Sequence, residues 1–187
     1  MLKINHQFLN EDFFVPNWEI SYLFLGTFNP EGGDKVNYFY GRKKNKTWNL
    51  LSEIFEEDFN PEEFETFLTK LKKHGIACMD MIKSVDVPDH KISSIIGKGY
   101  SDNNLINNTI QRDHNTSNIL NVISQNNNIN VYSTWGTGPQ IVNWTNETNK
   151  IKNIIPLLSP SMAARVPAGK EKFKFMLEDW SVKIKSK

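Results

Sequence analysis

The stretch LFLGTFNPEGG, Leu23 to Gly33, decides how the rest of the chain is read. The apolar run that leads into it extends from Ile20 to Phe28 without the polar alternation of a half-solvated strand. It therefore predicts a strand buried on both faces of a parallel sheet. The run then breaks into Gly-Thr-Phe-Asn-Pro. Two readings of the break stand side by side: an ordinary strand-ending turn begun by Asn29-Pro30, or the floor of a ligand pocket whose polar contact is Asn29. The segment lacks the Gly-Lys-Ser/Thr ending of a Walker loop and the spacing of a dinucleotide fingerprint, so phosphate cradling is not implied.

A strand buried on both faces needs helices around it, and the flanking sequence supplies them. One helix is expected near Thr47, with Trp48, Leu51 and Phe55 on one stripe. A second has Asn60 as cap, Pro61 in its first position, Phe64, Phe67, Leu68 and Leu71 facing inward, and Gly75 at its end. Ile76 to Ile82 reads as the next strand, followed by a long surface loop through Val87-Pro88 to Tyr100 with room for a short helix. Within the asparagine-rich region, Ser117 is expected to cap a helix carrying Leu120 and Ile123, leading into a third strand from Ile129 to Thr134. Ile141 and Trp144 mark a further helix, and Ile151 to Leu158 a fourth strand. A last helix from about Gly169 carries Phe173, Leu177, Trp180 and Ile184.

Alternating strands and helices predict one α/β domain over residues 1–187, a three-layer α/β/α sandwich around a central four-stranded parallel sheet. Ligands of such folds bind beyond the carboxyl ends of the strands. Three segments should then meet at one edge: Gly26 to Gly33, Ser133 to Gly138, and Ser159 to Arg165.

Composition constrains the chemistry. With 187 residues, a formal charge of +1, 39% apolar and 12% aromatic residues, the chain can bury a real core, and its net charge neither favours nor excludes a nucleic-acid partner. Cys78 is the only cysteine, which excludes internal disulfides and any cysteine-ligated cluster, and its apolar neighbours mark it as a core residue. His6, His74, His90 and His114 show no paired ligand spacing and read as surface or turn residues, so neither a metal nor a cofactor is expected. No apolar run approaches the about 20 residues of a membrane span, giving the expectation of a cytoplasmic monomer without a membrane partner. Charge is nevertheless segregated. Acid crowds Glu53 to Glu65, whereas base crowds Arg42 to Lys46 and Arg165 to Lys174.

Two further segments carry double readings. In YFYGRKKNKTW, Tyr38 to Trp48, the basic run is either a solvated loop with Asn45 capping a helix, or cations beside a phosphate backbone with Tyr40 as a stacking face. In LLSPSMAARV, Leu157 to Val166, Ser-Pro-Ser is either a turn or a phosphate grip, with Arg165 as a second contact and Met162 as an apolar wedge.

In this order the segments resemble the uracil-DNA glycosylase superfamily, especially its mismatch-specific uracil and hypoxanthine-DNA glycosylase branches, over roughly Leu23 to Trp180. Asn29-Pro30 resembles the Asn-Pro of the Gly-Ile-Asn-Pro-Gly motif. YGRKKNKTW is similar to the aromatic-x-His-Pro-x-Asn-Arg-Phe-Trp segment, and SPSMAARV to Asn-Pro-Ser-Gly-Leu-Ser-Arg-Val. GIACMDMI, followed by DHKI at Asp89 to Ile92, resembles Gly-Ile-Ala-Leu-x-Asp-Val and Asp-Ser-x-Ile of the hypoxanthine branch.

The resemblance implies a monofunctional DNA glycosylase of base-excision repair. Its substrate would be DNA holding a flipped-out deaminated base, uracil first, with hypoxanthine and xanthine as alternatives. By position, Asn29 would orient the attacking water and Asn45 would serve as the second catalytic candidate. Thr27 and Phe28 would line the pocket through their main chain, Tyr40 would stack on the base, and Ser159 would contact the substrate. Arg42, Lys43, Ser161 and Arg165 would lie at the DNA backbone, with Met162 or Ala163 filling the gap left by the flipped nucleotide. An asparagine where the fast uracil enzymes carry aspartate implies a slower, broader enzyme. Two other readings stay open: a catalytically inactive relative that binds damaged or single-stranded DNA, and a hydrolase of free nucleosides or nucleotides.

Overall fold

The computed structural model describes residues 1–59, 61–97, 100–136 and 138–185. In chain order the elements are β1 (Leu2–Asn5), β2 (Tyr22–Gly26), α1 (Thr47–Phe55), α2 (Phe64–Lys73), β3 (Ile76–Asp80), β4 (Ile82–Val87), α3 (Ser93–Ile96), α4 (Asp102–Asn107), β5 (Gln111–His114), α5 (Thr116–Gln125), β6 (Asn130–Ser133), α6 (Val142–Thr148), β7 (Ile155–Pro156) and α7 (Lys172–Lys185). The chain is α/β, with a parallel sheet of four strands in the order β3-β2-β6-β7. No described helix is long and apolar enough to cross a membrane.

The uninterrupted apolar run around Leu23 is explained by burial on both faces. Leu23 and Leu25, with Ala77, Met79 and Val131 of the neighbouring strands, point into one core. That core is completed by Ile119 and Val122 of α5, Trp144 of α6, and Val85 and Val87 of β4. Phe24, Cys78 and Tyr132 point to the other face, against Trp48, Leu51 and Ile54 of α1, Phe67 and Leu71 of α2, and Trp180 and Ile184 of α7. There Phe24 stacks on Tyr132 at 5.1 Å and on Trp180 at 5.7 Å between ring centroids. The fully buried thiol of Cys78 has its pKa raised, first by burial.

β2 pairs with β3 on one side and β6 on the other, so the crossovers run in opposite directions from it. The carboxyl ends of β2, β3 and β6 therefore surround one crevice.

The structure differs from the sequence reading in several places. Residues 82–87, expected to belong partly to a surface loop, form β4, the centre of a second, antiparallel sheet in the order β1-β4-β5. A shift of register between Ile82 and Ser84 interrupts the two-residue period there, and β5, Gln-Arg-Asp-His, carries no apolar signal. On α5 the inward residues are Ile119 and Val122, while Leu120 is 37% exposed, and the helix starts after Asn115 rather than Ser117. The fourth strand shrinks to Ile155–Pro156 at the sheet edge, where proline has no N–H to extend a ladder. The second helix begins at Phe64, leaving Pro61 in the turn before it, and the expected cap Asn60 lies outside the described residues. The last helix begins at Lys172, three residues after Gly169, and buries Met176, Trp180 and Ile184.

Candidate functional site

The three segments expected at one sheet edge do meet. Residues Thr27, Phe28 and Asn29 after β2, Asp80 at the end of β3, Thr134 after β6, and Ser159 and Ser161 after β7 line one recess of about 430 Å³, open space at its mouth included. Tyr40, Arg42 and Asn45, on the segment leading into α1, and Asp102, opening α4, complete its wall.

Backbone hydrogen bonds hold these segments in place. The amides of Met81 and Ile82 donate to the carbonyls of Gly26 and Thr27 at 3.0 and 3.2 Å, and Thr134 donates its amide and its hydroxyl to the Leu25 carbonyl, each at 3.1 Å. The turn after β2 is thus tied to both neighbouring strands. Across the recess, Asn45 forms an isolated antiparallel bridge with Ser161. The Lys46 amide donates to the Pro160 carbonyl at 2.9 Å, and the Met162 amide to the Lys44 carbonyl at 3.0 Å. This pairing brings the basic run Arg42 to Lys46 beside the Ser159–Ser161 segment. The cap position of α1 is Lys46, not Asn45 as expected; Asn45, one residue earlier, accepts at Oδ1 from the Thr47 amide at 2.8 Å, which leaves its Nδ2 as the donor at the recess wall.

A buried polar cluster lies at the floor. Asp80 is 3% exposed, and its Oδ2 accepts from Asn29 Nδ2 and His6 Nε2, both at 2.9 Å. The Phe8 amide donates to His6 Nδ1 at 3.0 Å, so the ring proton sits on Nε2 and is given to the carboxylate. A carboxylate accepts only, so Asn29 must present its Nδ2 to Asp80 and keeps Oδ1 as its remaining acceptor. The amide plane of Asn29, 7% exposed, is fixed by this bond.

Beside the cluster, Tyr40 adopts φ 59°, rare for a bulky side chain and a mark of local strain. Its hydroxyl is 3.2 Å from Thr134 Oγ1, and burial, with Cys78 and Asp80 nearby, pushes its pKa well up. Arg42 lies 3.8 Å over the Tyr100 ring, and its Nη2 donates to the Phe28 carbonyl at 3.4 Å. The Tyr100 hydroxyl reaches the same carbonyl at 2.8 Å and Asp102 Oδ1 at 2.6 Å. Asp102 is solvent-exposed, so the atoms crowded around its carboxyl raise its pKa only against that exposure and against the lowering effects of Tyr100 and Arg42.

Of the residues singled out in the sequence, Thr27, Phe28, Asn29, Tyr40, Arg42, Asn45, Ser159 and Ser161 share the recess. Lys43, Ala163 and Arg165 are exposed and Met162 is half-buried, all outside the lining. Arg42 is turned inward onto Tyr100 rather than outward with the other cations, and the Phe28 carbonyl is already taken by Tyr100 and Arg42. The histidines need correction. His6, 2% exposed, is the inner end of the polar cluster, and His114 is half-buried near Trp144, where burial lowers its pKa.

Asp80, Asp102 and Thr134 were not singled out, although Asp80 carried a signal: a lone carboxylate closing an otherwise apolar strand. Among the described residues no group of three or more histidine, cysteine or acidic side chains is arranged to hold a metal ion. No family model, curated protein or solved structure matches the chain.

Proposed function

We propose that the protein is a monofunctional DNA glycosylase with the three-layer α/β/α architecture of the uracil-DNA glycosylase superfamily. In this reading it hydrolyses the N-glycosidic bond of a deaminated base flipped out of DNA, uracil in first place and hypoxanthine or xanthine in second. The observation that supports the reading is the convergence of Asn29, Tyr40, Asn45, Ser159 and Ser161, from separate segments, on one recess at the carboxyl edge of the parallel sheet.

The target bond lies inside stacked DNA, so the nucleotide must be extruded at a cost of a few kcal/mol, offset by contacts made in the pocket. Tyr40, held by Thr134, gives the base an aromatic wall. Asn45 Nδ2 and the Ser159 hydroxyl are donors for base carbonyls. Ser161 lines the recess, and Met162, Ala163, Lys43 and Arg165, which flank the paired segments in sequence, would meet the phosphate backbone and the vacated stack. Lys43 and Arg165 make no ion pair among the described residues, so their charge is free to displace counterions from phosphates.

Cleavage builds positive charge on the sugar and negative charge on the departing base, and fixed dipoles aimed at those charges lower the barrier. Asn29 Oδ1, locked by Asp80, accepts a hydrogen bond from the water and holds it in line with the anomeric carbon.

The test is single-turnover formation of abasic sites in a uracil-containing oligonucleotide by wild type, Asn29→Ala and Asn45→Ala, alongside binding of the same oligonucleotide. Misplacing the water should lower the Asn29→Ala rate on the order of 10²-fold while binding persists. Wild-type rates in both variants would overturn the assignment. Binding without any turnover by the wild type would favour an inactive DNA-binding relative.

A further inference from the structure

We infer that Asp80 is a catalytic residue of the glycosylase reaction, its Oδ1 receiving the proton of the attacking water. The inference rests on the glycosylase reading and adds to it the base that an asparagine cannot supply.

The geometry begins with the two oxygens of Asp80. Both donors to the carboxylate, His6 Nε2 and Asn29 Nδ2, bond Oδ2. Oδ1 makes no hydrogen bond among the described residues, yet it is not among the buried atoms sealed away without a partner, and Asp80 lines the recess. It lies over Gly26, 2.2 Å from where a Cβ would stand, with the Tyr40 hydroxyl 3.3 Å from the same point. The absent side chain of Gly26 is therefore what admits this oxygen.

Buried carboxylates in proteins are met by several donors, because leaving an ionised oxygen unpaired away from water is costly. A neutral amide carbonyl has lone pairs enough to accept both bonds, so satisfying His6 and Asn29 leaves the second oxygen of the carboxylate for another partner. Asn29 and Asp80 line the same recess and are joined through Asn29 Nδ2 and Asp80 Oδ2, so the acceptors this pair retains are Asn29 Oδ1 and Asp80 Oδ1. A water between the two would be held by acceptors of different basicity, Asn29 aligning it and Asp80 taking its proton.

The rings of Phe8, Phe14, Phe28 and Phe39 surround His6 at 5.0 to 5.7 Å and fix the donor that orients the carboxylate. The other titratable and charged groups around Asp80 are Tyr40 and Arg42 from the segment before α1, Cys78 on β3 and Asp102 on α4.

In the step itself, the water oxygen forms a bond to the anomeric carbon of the sugar, and the carbon–nitrogen bond breaks with its electron pair leaving on the base. The water proton passes to Asp80 Oδ1 and from there to solvent, while the base takes a proton from solvent. The products are the free base and an abasic sugar, and no other reactant is consumed. The carboxylate charge also favours the cationic sugar of the transition state.

The test measures single-turnover excision from a uracil-containing oligonucleotide at one fixed pH in wild type, Asp80→Asn and Asp80→Ala, the last with and without added formate. A general base contributes about 10² to 10⁴-fold, so Asp80→Asn should lose that factor, and formate, a small carboxylate that fits the space left by the side chain, should restore part of the rate to Asp80→Ala. A folded Asp80→Asn with the wild-type rate, or a folded Asp80→Ala that excises no faster with formate, overturns the role of Asp80 while leaving the glycosylase reading intact. A wild type that excises nothing overturns both.

Discussion

Replacing Gly26 by alanine sets two physical effects against each other, and the structure decides the sign. Gly26 closes β2 without a positive φ, and at such a position a glycine-to-alanine change ordinarily stabilises by about 0.4–1 kcal/mol through the unfolded chain. Here the new Cβ would stand 2.2 Å from Asp80 Oδ1, where ordinary contact begins at 3.4 Å. Asp80 must then withdraw by roughly 1 Å, well beyond the tolerance of van der Waals contact. Its hydrogen bonds to His6 and Asn29, both 2.9 Å, oppose any withdrawal. Overpacking of about 1–3 kcal/mol and a weakened charged hydrogen bond of about 1.5–3 kcal/mol outweigh the gain in the unfolded state. The expected result is a net loss of roughly 2–5 kcal/mol. For a chain of this size that lowers Tm by about 4–20 °C, read by calorimetry or by urea unfolding. Gly138→Ala, with nothing within 4 Å of the added carbon, should stay within about 0.5 kcal/mol. In an Asp80→Ala background the penalty at Gly26 should shrink, since the clashing oxygen is gone. A Gly26→Ala protein as stable as wild type would refute the placement of Asp80 against β2.

Removing the inner donor with His6→Phe should destabilise the fold by about 1.5–3 kcal/mol, because Asp80 then lies buried with one donor fewer; urea unfolding reads the change. Leu120→Lys should leave stability within about 0.5 kcal/mol, whereas Ile119→Ala should cost about 2–5 kcal/mol, since only the second side chain is buried in α5. Hydrogen bonds from Lys73 and His74 hold the Glu57 carboxyl down from its ordinary 4.5 to about 2. Its contribution is therefore present above about pH 4.5 and is lost as pH falls through about 2, and Glu57→Gln should remove that part of the acid dependence in unfolding midpoints taken at either end of this window.

The parallel sheet was legible because residues buried on both faces leave an unbroken apolar signature, as in Leu23, Phe24 and Leu25. The edge where the loops meet followed from strand and helix alternation alone. The antiparallel sheet was not legible: only Met81 separates β3 from β4, so two strands in different sheets read as one apolar run. On α5 the adjacent apolar pair Ile119 and Leu120 left the phase of the helix ambiguous, and only packing against β6 and its neighbours selects Ile119. Two of the three members of the polar cluster were hidden for a similar reason. His6 lies in a short polar context with no pattern around it, and its partner Asp80 follows it by 74 positions. Asn29 and Asn45 were visible because each interrupts a pattern at a strand or helix boundary.

The most direct measurement of the central claim is incubation of the purified protein with oligonucleotides carrying a single uracil, hypoxanthine or xanthine, followed by alkaline cleavage of abasic sites. The account predicts strand scission at the lesion, strongest for uracil. Intact strands for all three bases would contradict it.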